Sequence, residues 1–213
     1  MKGIDRYCQG MAGPRIEASA DVDVRAHVSD DCTIWHLAQI REEAVVGAGC
    51  VIGRGAYIGA GVRLGTNVKV QNHALIYEPA IIGDFAFVGP AAVLTNDRHP
   101  RSTDPEGRLK SVSDWDSEGV VLGDGASIGA RAVVLGGVSI GAWACVGAGA
   151  VVTHDVSNHA LVVGNPARQV GWVGRSGQRL VGSEGDWTCP ETGRRYRSSG
   201  DGLERIDPAS GHR

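Results

Sequence analysis

The stretch from Ile40 to Val70 reads IREEAVVGAGCVIGRGAYIGAGVRLGTNVKV. Its aliphatics recur at every sixth residue: Ile40, Val46, Ile52, Ile58, Leu64 and Val70. The same register extends outward without a break, back through Ile34 and Val28 to Val22 and on through Ile76, Ile82 and Val88 to Leu94. It resumes in a new frame at Leu122, Ile128, Val134, Ile140, Val146 and Val152. Four residues after each aliphatic stands a small or β-branched residue, as at Ala44, Cys50, Ala56, Val62 and Val68. Glycine often follows the aliphatic directly, as at Gly47, Gly53, Gly59 and Gly65. A period of six does not match the spacing of about 3.6 that an amphipathic helix needs. A fixed repeat of this kind is the mark of a solenoid. Each hexad then makes one short strand and one corner, and three hexads close one coil of a triangular prism. Successive coils pair backbone to backbone at about 4.8 Å. The aliphatic points inward and the small residue fills the corner. A lone coil cannot bury this face, so stacking stabilises it.

Composition agrees with a narrow core. Glycine is 32 of 213 residues and aromatics are only 5%. Collagen would need glycine at every third position, and disorder would need few aliphatics. A net charge of −3 offers no basic surface for nucleic acid. No stretch approaches the ~18 apolar residues of a membrane helix. The opening MKGIDRYCQG lacks the apolar region of a signal peptide. The expectation is a cytoplasmic protein with no membrane or nucleic-acid partner. Five scattered cysteines argue against a disulfide scaffold.

The spacing between Leu94 and Leu122 is not a multiple of six, so a loop at about 95–119 interrupts the solenoid. It reads TNDRHPRSTDPEGRLKSVSDWDSEG and carries no repeat. A loop of that length inside a compact fold is usually functional. The expected organisation is a lead-in at 1–21, a solenoid at 22–172 and a small appendage at 173–213.

Residues 18 apart should lie on adjacent coils. One column holds Trp35, Gly53, Gln71 and Gly89, and the next holds His36, Arg54, Asn72 and Pro90. A third holds Gly59, Tyr77 and Thr95, with Glu78 beside Asn96. Gln71 and Tyr77 stand where glycine is common elsewhere, and departures from a consistent pattern are where function is expected. Ala130, Ala148 and Pro166 form a further ladder by the same count, with Gly129 and Gly147 beside it. Cys32 and Cys50 are also 18 apart and read as small buried thiols.

Several strings sharpen the reading: IWH at Ile34–His36, KVQN at Lys69–Asn72, LTND at Leu94–Asp97, HPR at His99–Arg101, VGAGAVVTHDV at Val146–Val156 and GNPAR at Gly164–Arg168. Their ordered set resembles the hexapeptide-repeat acyltransferases. Within them it is most similar to the nucleotide-sugar N-acetyltransferases acting on UDP-2-acetamido-3-amino-2,3-dideoxyglucuronate for bacterial surface polysaccharide. The resemblance implies an all-β, left-handed parallel β-helix. It also implies acetyl-CoA as co-substrate, no metal, and a homotrimer with sites between subunits. Asn96 would then hold the sugar amine, while the departing CoA thiolate takes the proton. His36 is the rival candidate as base, since a neutral imidazole suits that work near pH 7. Gln71, Asn72 and Tyr77 would contact sugar and nucleotide, and Arg101 would meet a diphosphate or carboxylate. Backbone amides at Gly129, Ala130, Gly147, Ala148 and Pro166 would carry the pantetheine, and Arg168 a CoA phosphate. This chain has Arg54-Gly55 where that branch often has Gln-Asn, and SVSDWDSEG in place of a more basic segment. Other readings stand beside this one: acetylation of a dTDP- or UDP-4-amino sugar or of a hydroxyl, and a non-catalytic scaffold. A zinc site of the γ-carbonic-anhydrase type would need three histidines, and position 118, two coils before His154, is Glu.

Overall fold

The computed structural model describes residues 13–206 except Val112 and Glu184, so the first part of the expected lead-in lies outside the described residues. Through the solenoid, most hexads form a two-residue strand followed by a four-residue turn. The strands stack into three parallel sheets that form the three walls of a prism. The first wall holds Arg15–Ile16, Thr33–Ile34, Val51–Ile52, Lys69–Val70, Phe87–Val88, Ser127–Ile128 and Cys145–Val146, and closes with Ala160–Val163. The second holds Asp21–Val22, Gln39–Ile40, Tyr57–Ile58, Leu75–Ile76, Val93–Leu94, Val133–Val134 and Val151–Val152. The third runs from His27–Val28 to Ser139–Ile140.

Register confirms the coil length. Lys69 pairs with Val51 below and Phe87 above, each 18 residues away. The second residue of each pair faces inward, and Ile34, Ile52, Ile58, Ile76 and Leu94 are completely buried. Alanine, valine or cysteine fills each corner, and Cys32 and Cys50 are buried there with free thiols. No disulfide joins them, although their coils are adjacent.

Corner geometry explains the rest of the repeat. The third residue after most of the aliphatics adopts a left-handed backbone, as at Glu43, Gly49, Gly55, Gly61, Asn67 and Gly125. Glycine and asparagine tolerate that region well. At the corner after Ile76 the equivalent position is Pro79, whose ring fixes φ negative. That turn instead contains a cis Glu78–Pro79 peptide.

The inserted loop leaves after Leu94 and returns at Val121 without disturbing the stack. Ile81 pairs with Val121 and Leu75 with Val93, which in turn pairs with Val133. At both ends the loop is pinned to the solenoid. Glu118 N–H donates to Asn96 O at 2.9 Å, and Arg98 Nε donates to Gly136 O at 2.7 Å while lying 2.9 Å from Glu118.

One expectation needs correction. The coil above Cys145–Val146 is short: Val146 pairs with Val162, 16 residues on. The cause lies at the preceding corner, where Val156 bridges to Ile140 only four residues after Val152. Two residues are missing from that coil, so Gly164 rather than Pro166 follows Ala148 in the ladder. Pro166 lies in the turn beyond, before the antiparallel return strand Arg168–Trp172.

Beyond the return strand, Val181–Ser183, Asp186–Thr188, Arg195–Ser199 and Gly202–Ile206 form a four-stranded antiparallel sheet. Its small core is Leu180, Cys189, Tyr196 and Leu203. It is tied to the last coil through Asn158, whose N–H donates to Asp201 O at 2.8 Å, and through buried His159, whose ring meets Tyr196 edge-on at 5.0 Å.

Candidate active site

Apart from Pro166 and Arg168 at the end of the solenoid, the residues singled out from sequence fall on two of the three corners. His36, Gln71, Asn72, Gly129, Ala130, Gly147 and Ala148 lie on the corner joining the first and second walls. Tyr77, Asn96 and the loop bearing Arg101 lie on the corner joining the second and third. The second wall therefore separates the two groups within one chain.

On the second corner, Asn96 is the most constrained polar residue. Only 8% of it is exposed, and its Nδ2 donates to the Glu78 carbonyl one coil below at 2.8 Å. This bond fixes which end of the amide is which. Asn96 Oδ1 has no donor among the described residues and is left facing out as an acceptor. One coil below Asn96, on the side facing Gly59, Glu78 Oε2 is buried with no hydrogen-bond partner. Gly59 makes room for this carboxylate, since a Cβ there would overlap Glu78 Oε2. The Tyr57 and Tyr77 rings pack at 5.2 Å to complete the surface. Burial pushes the Tyr57 hydroxyl above its usual range, and the Glu78 charge adds to the effect. An orphaned carboxylate oxygen is costly inside a protein. Sequence reasoning missed Glu78 as a functional residue; the available signal was Glu-Pro at a corner where the repeat calls for a left-handed residue.

The first corner offers backbone instead of side chains. Lower on this corner and on the third corner an Asx side chain caps the amide one coil below: Asn72 Oδ1 accepts from Arg54 N–H at 2.9 Å, and Asp84 Oδ1 from Thr66 N–H at 2.7 Å. Asp124 does the same for Asp84, and Asn158 for Ala142. Above Ala130 and Ala148 stand Ala148 and Gly164, which have no such acceptor. The N–H groups of Ala130 and Ala148 accordingly meet no acceptor among the described residues. The space here is tight, since a Cβ on Gly129 would lie 2.4 Å from Ala148 N. What results is two unspent amide donors one coil apart, about 4.8 Å.

His36 lies lower on that same corner, well exposed, with Nε2 3.4 Å from Glu17 Oε2. Trp35 stacks beside it, and Arg15 covers the Trp35 ring at 5.0 Å. Asn72 is two coils higher, so His36 does not meet it within the chain. Arg101 is exposed and donates to Pro100 O. Arg168 lines a separate cavity of about 270 Å³ at the end of the solenoid with His154 and Asp155. No cluster of metal-ligating side chains occurs among the described residues. The three solenoid thiols are poor nucleophiles, because burial pushes Cys32 and Cys145 up and Cys50 to about 11, whereas hydrogen bonds from Ser176 and Thr192 bring Cys189 in the appendage down to about 7.

Residues 25–60 and 119–154 match the bacterial transferase hexapeptide (six repeats) family model. A dTDP-3-amino-3,6-dideoxy-α-D-galactopyranose 3-N-acetyltransferase of Aneurinibacillus thermoaerophilus is 36% identical over 77 residues, which is 36% of this chain and 40% of that protein. A probable serine acetyltransferase of Oryza sativa subsp. japonica is 51% identical over 67 residues, 32% of this chain and 22% of that protein. The matches thus span less than half the length of these curated relatives. Among solved structures, a mutant of an N-acyltransferase from Bacillus cereus in complex with dTDP and coenzyme A shares the fold with a TM-score of 0.52 at 16% identity, covering 78% of this chain and 84% of that one. A hexapeptide-repeat-containing acetyltransferase from Vibrio cholerae complexed with acetyl coenzyme A shares it with a TM-score of 0.51 at 24% identity, covering 61% and 70%. The three-walled parallel prism is consistent with the left-handed β-helix of the hexapeptide-repeat fold, whose family model the repeat matches.

Proposed function

We propose that this hexapeptide-repeat chain is an acetyl-CoA-dependent N-acetyltransferase whose acceptor is the amino group of a nucleotide-linked sugar. The observation that carries the reading is Asn96: an almost buried amide, fixed by its own Nδ2, that turns one open carbonyl acceptor outward. Such an acceptor takes a hydrogen bond from an amine and aims the nitrogen lone pair. A thioester is already activated, so holding the reactants together is the main demand, and positioning can supply about 7–11 kcal/mol. The amine nitrogen attacks the thioester carbon, the C–S bond breaks, and the departing thiolate accepts the amine proton. The open amides of Ala130 and Ala148 would receive the pantetheine carbonyls, and Arg168 a CoA phosphate. Gln71, Asn72 and Tyr77 would hold sugar and nucleotide. The acceptor class favoured is a UDP-linked 3-amino uronic acid used in surface polysaccharide, with Arg101 meeting its diphosphate or carboxylate. The similarity to a dTDP-3-amino-sugar 3-N-acetyltransferase supports an amino-sugar acceptor.

Since the second wall parts the donor corner from the acceptor corner, the complete site needs a second copy of the chain. A cyclic trimer would set the first corner of one subunit against the second corner of the next. The His36–Glu17 pair favours a second reading, because imidazole beside carboxylate suits removal of a hydroxyl proton. Thioester cleavage measured with acetyl-CoA against UDP- and dTDP-amino sugars tests both. Asn96→Ala is expected to lower turnover roughly ten- to hundredfold with the oligomer intact. Unchanged turnover in Asn96→Ala, with loss in His36→Ala, would move the chemistry to a hydroxyl.

A further inference from the structure

The third corner, joining the third and first walls, carries none of the groups assigned above. Its left-handed positions are filled by Asp31, Gly49, Asn67, Phe85, Gly125 and Trp143. Asp, Asn and Gly are the ordinary occupants of that conformation, and a bulky aromatic side chain is an outlier there. Phe85 and Trp143 both adopt it, each at φ 59°. They stand two coils apart with Gly125 between them. The Trp143 ring lies over Gly125, where a Cβ would come within 2.4 Å of its Cε3. Phe85 is 56% exposed. The two rings line a cavity of about 270 Å³ that also takes in Ser127, Val173 and Arg175. The Arg175 guanidinium stacks on the Trp143 ring at 4.7 Å and forms no ion pair among the described residues. Along the first wall, Phe87 is partly exposed and sits in register between Lys69 and Ser127, which places a second cation near the strip.

An exposed Phe85 ring beside an unneutralised guanidinium, itself laid flat on Trp143, suits one kind of small molecule. Its planar heterocycle lies on the open ring and its anionic group meets the arginine fork. We propose that this cleft is a second binding site, for a nucleotide, with the base against Phe85 and the Arg175–Trp143 stack and a phosphate at Arg175. The site is separate from both corners assigned to acetyl transfer, and from the Ala130–Ala148 ladder in particular. It stands whether or not the acetyltransferase reading does.

Equilibrium dialysis with ADP and with UDP tests the proposal by counting the nucleotide bound per chain. Arg175→Gln keeps a flat polar group on Trp143 and removes the charge. Trp143→Leu removes the platform, and its melting curve reports whether the appendage stays attached. The expected result is that Arg175→Gln weakens one class of nucleotide site at least tenfold and Trp143→Leu abolishes it, while Asn96→Ala leaves it intact. Nucleotide binding that Arg175→Gln leaves unchanged overturns the proposal, as does the absence of any saturable binding of either probe. A site lost with Asn96→Ala but kept in Arg175→Gln assigns the nucleotide to the transfer site and overturns it too.

Discussion

Glu78 and Asn96 show how one residue's environment turns an ordinary side chain into a candidate reagent. Asn96 was legible in the sequence because it stands in LTND at the point where the six-residue rhythm stops. Glu78 was not, because a carboxylate at a corner is normally solvated. Only the packing of Gly59, Tyr57 and Tyr77 shows that one of its oxygens is closed off without a partner. Glu78→Gln removes a charge that the fold leaves unpaired and keeps the size of the side chain. Its melting temperature should equal or exceed that of the native chain, because burying an unpartnered charge is unfavourable. If the rest of the Glu78 carboxylate helps hold the acceptor sugar, KM for the amino sugar should rise roughly tenfold, the scale of one hydrogen bond to a charged group. The KM for acetyl-CoA should hold steady. Thermal melts and steady-state kinetics with each substrate varied in turn check both halves.

Strands and corners carry the next scale. The hexad was enough to place the inward aliphatics, the corner alanines and the partners 18 residues apart, since each depends on the repeat alone. It failed at Pro166 because counting by 18 assumes every coil is complete, while the last one loses two residues at the Val152–Val156 corner. The four-stranded appendage also escaped a strand-by-strand reading. Its core of Leu180, Cys189, Tyr196 and Leu203 is scattered through polar sequence and sets up no rhythm. The tight stacking has a measurable consequence at Gly129. Its added Cβ would press on backbone, which cannot rotate away as a side chain can. Gly129→Ala should therefore destabilise the chain by about 1–3 kcal/mol, as overpacking does. It should also weaken CoA binding if the Ala148 amide meets the pantetheine. Urea denaturation and calorimetric titration with CoA report the two effects separately.

The whole molecule poses a question that no single chain answers. Leu75, Val93, Val133 and Val151 point outward from the second wall as a half-buried apolar strip, flanked by the two candidate corners. Hexads specify the inside of a prism and leave its outside open, so a meeting of the two corners in the proposed trimer could not be read from the repeat. Val133→Arg places a charge in the middle of this strip. The expected outcome is dissociation to monomers in sedimentation velocity, loss of acetyl transfer, and an unchanged circular dichroism spectrum. A variant that remains fully assembled would move the subunit contact to another wall.

The excursion between Leu94 and Val121 departs and returns at neighbouring rungs, and the ladder closes behind it as though nothing had been added. Between its pinned ends, its contents leave the register of the stem unchanged. Evolution can lengthen, shorten or exchange that segment without retuning a single buried valine, much as a handle accepts different bits. Diversity of acceptors in proteins built this way should accordingly be written in insertions and deletions at that one gap, with the donor side left alone.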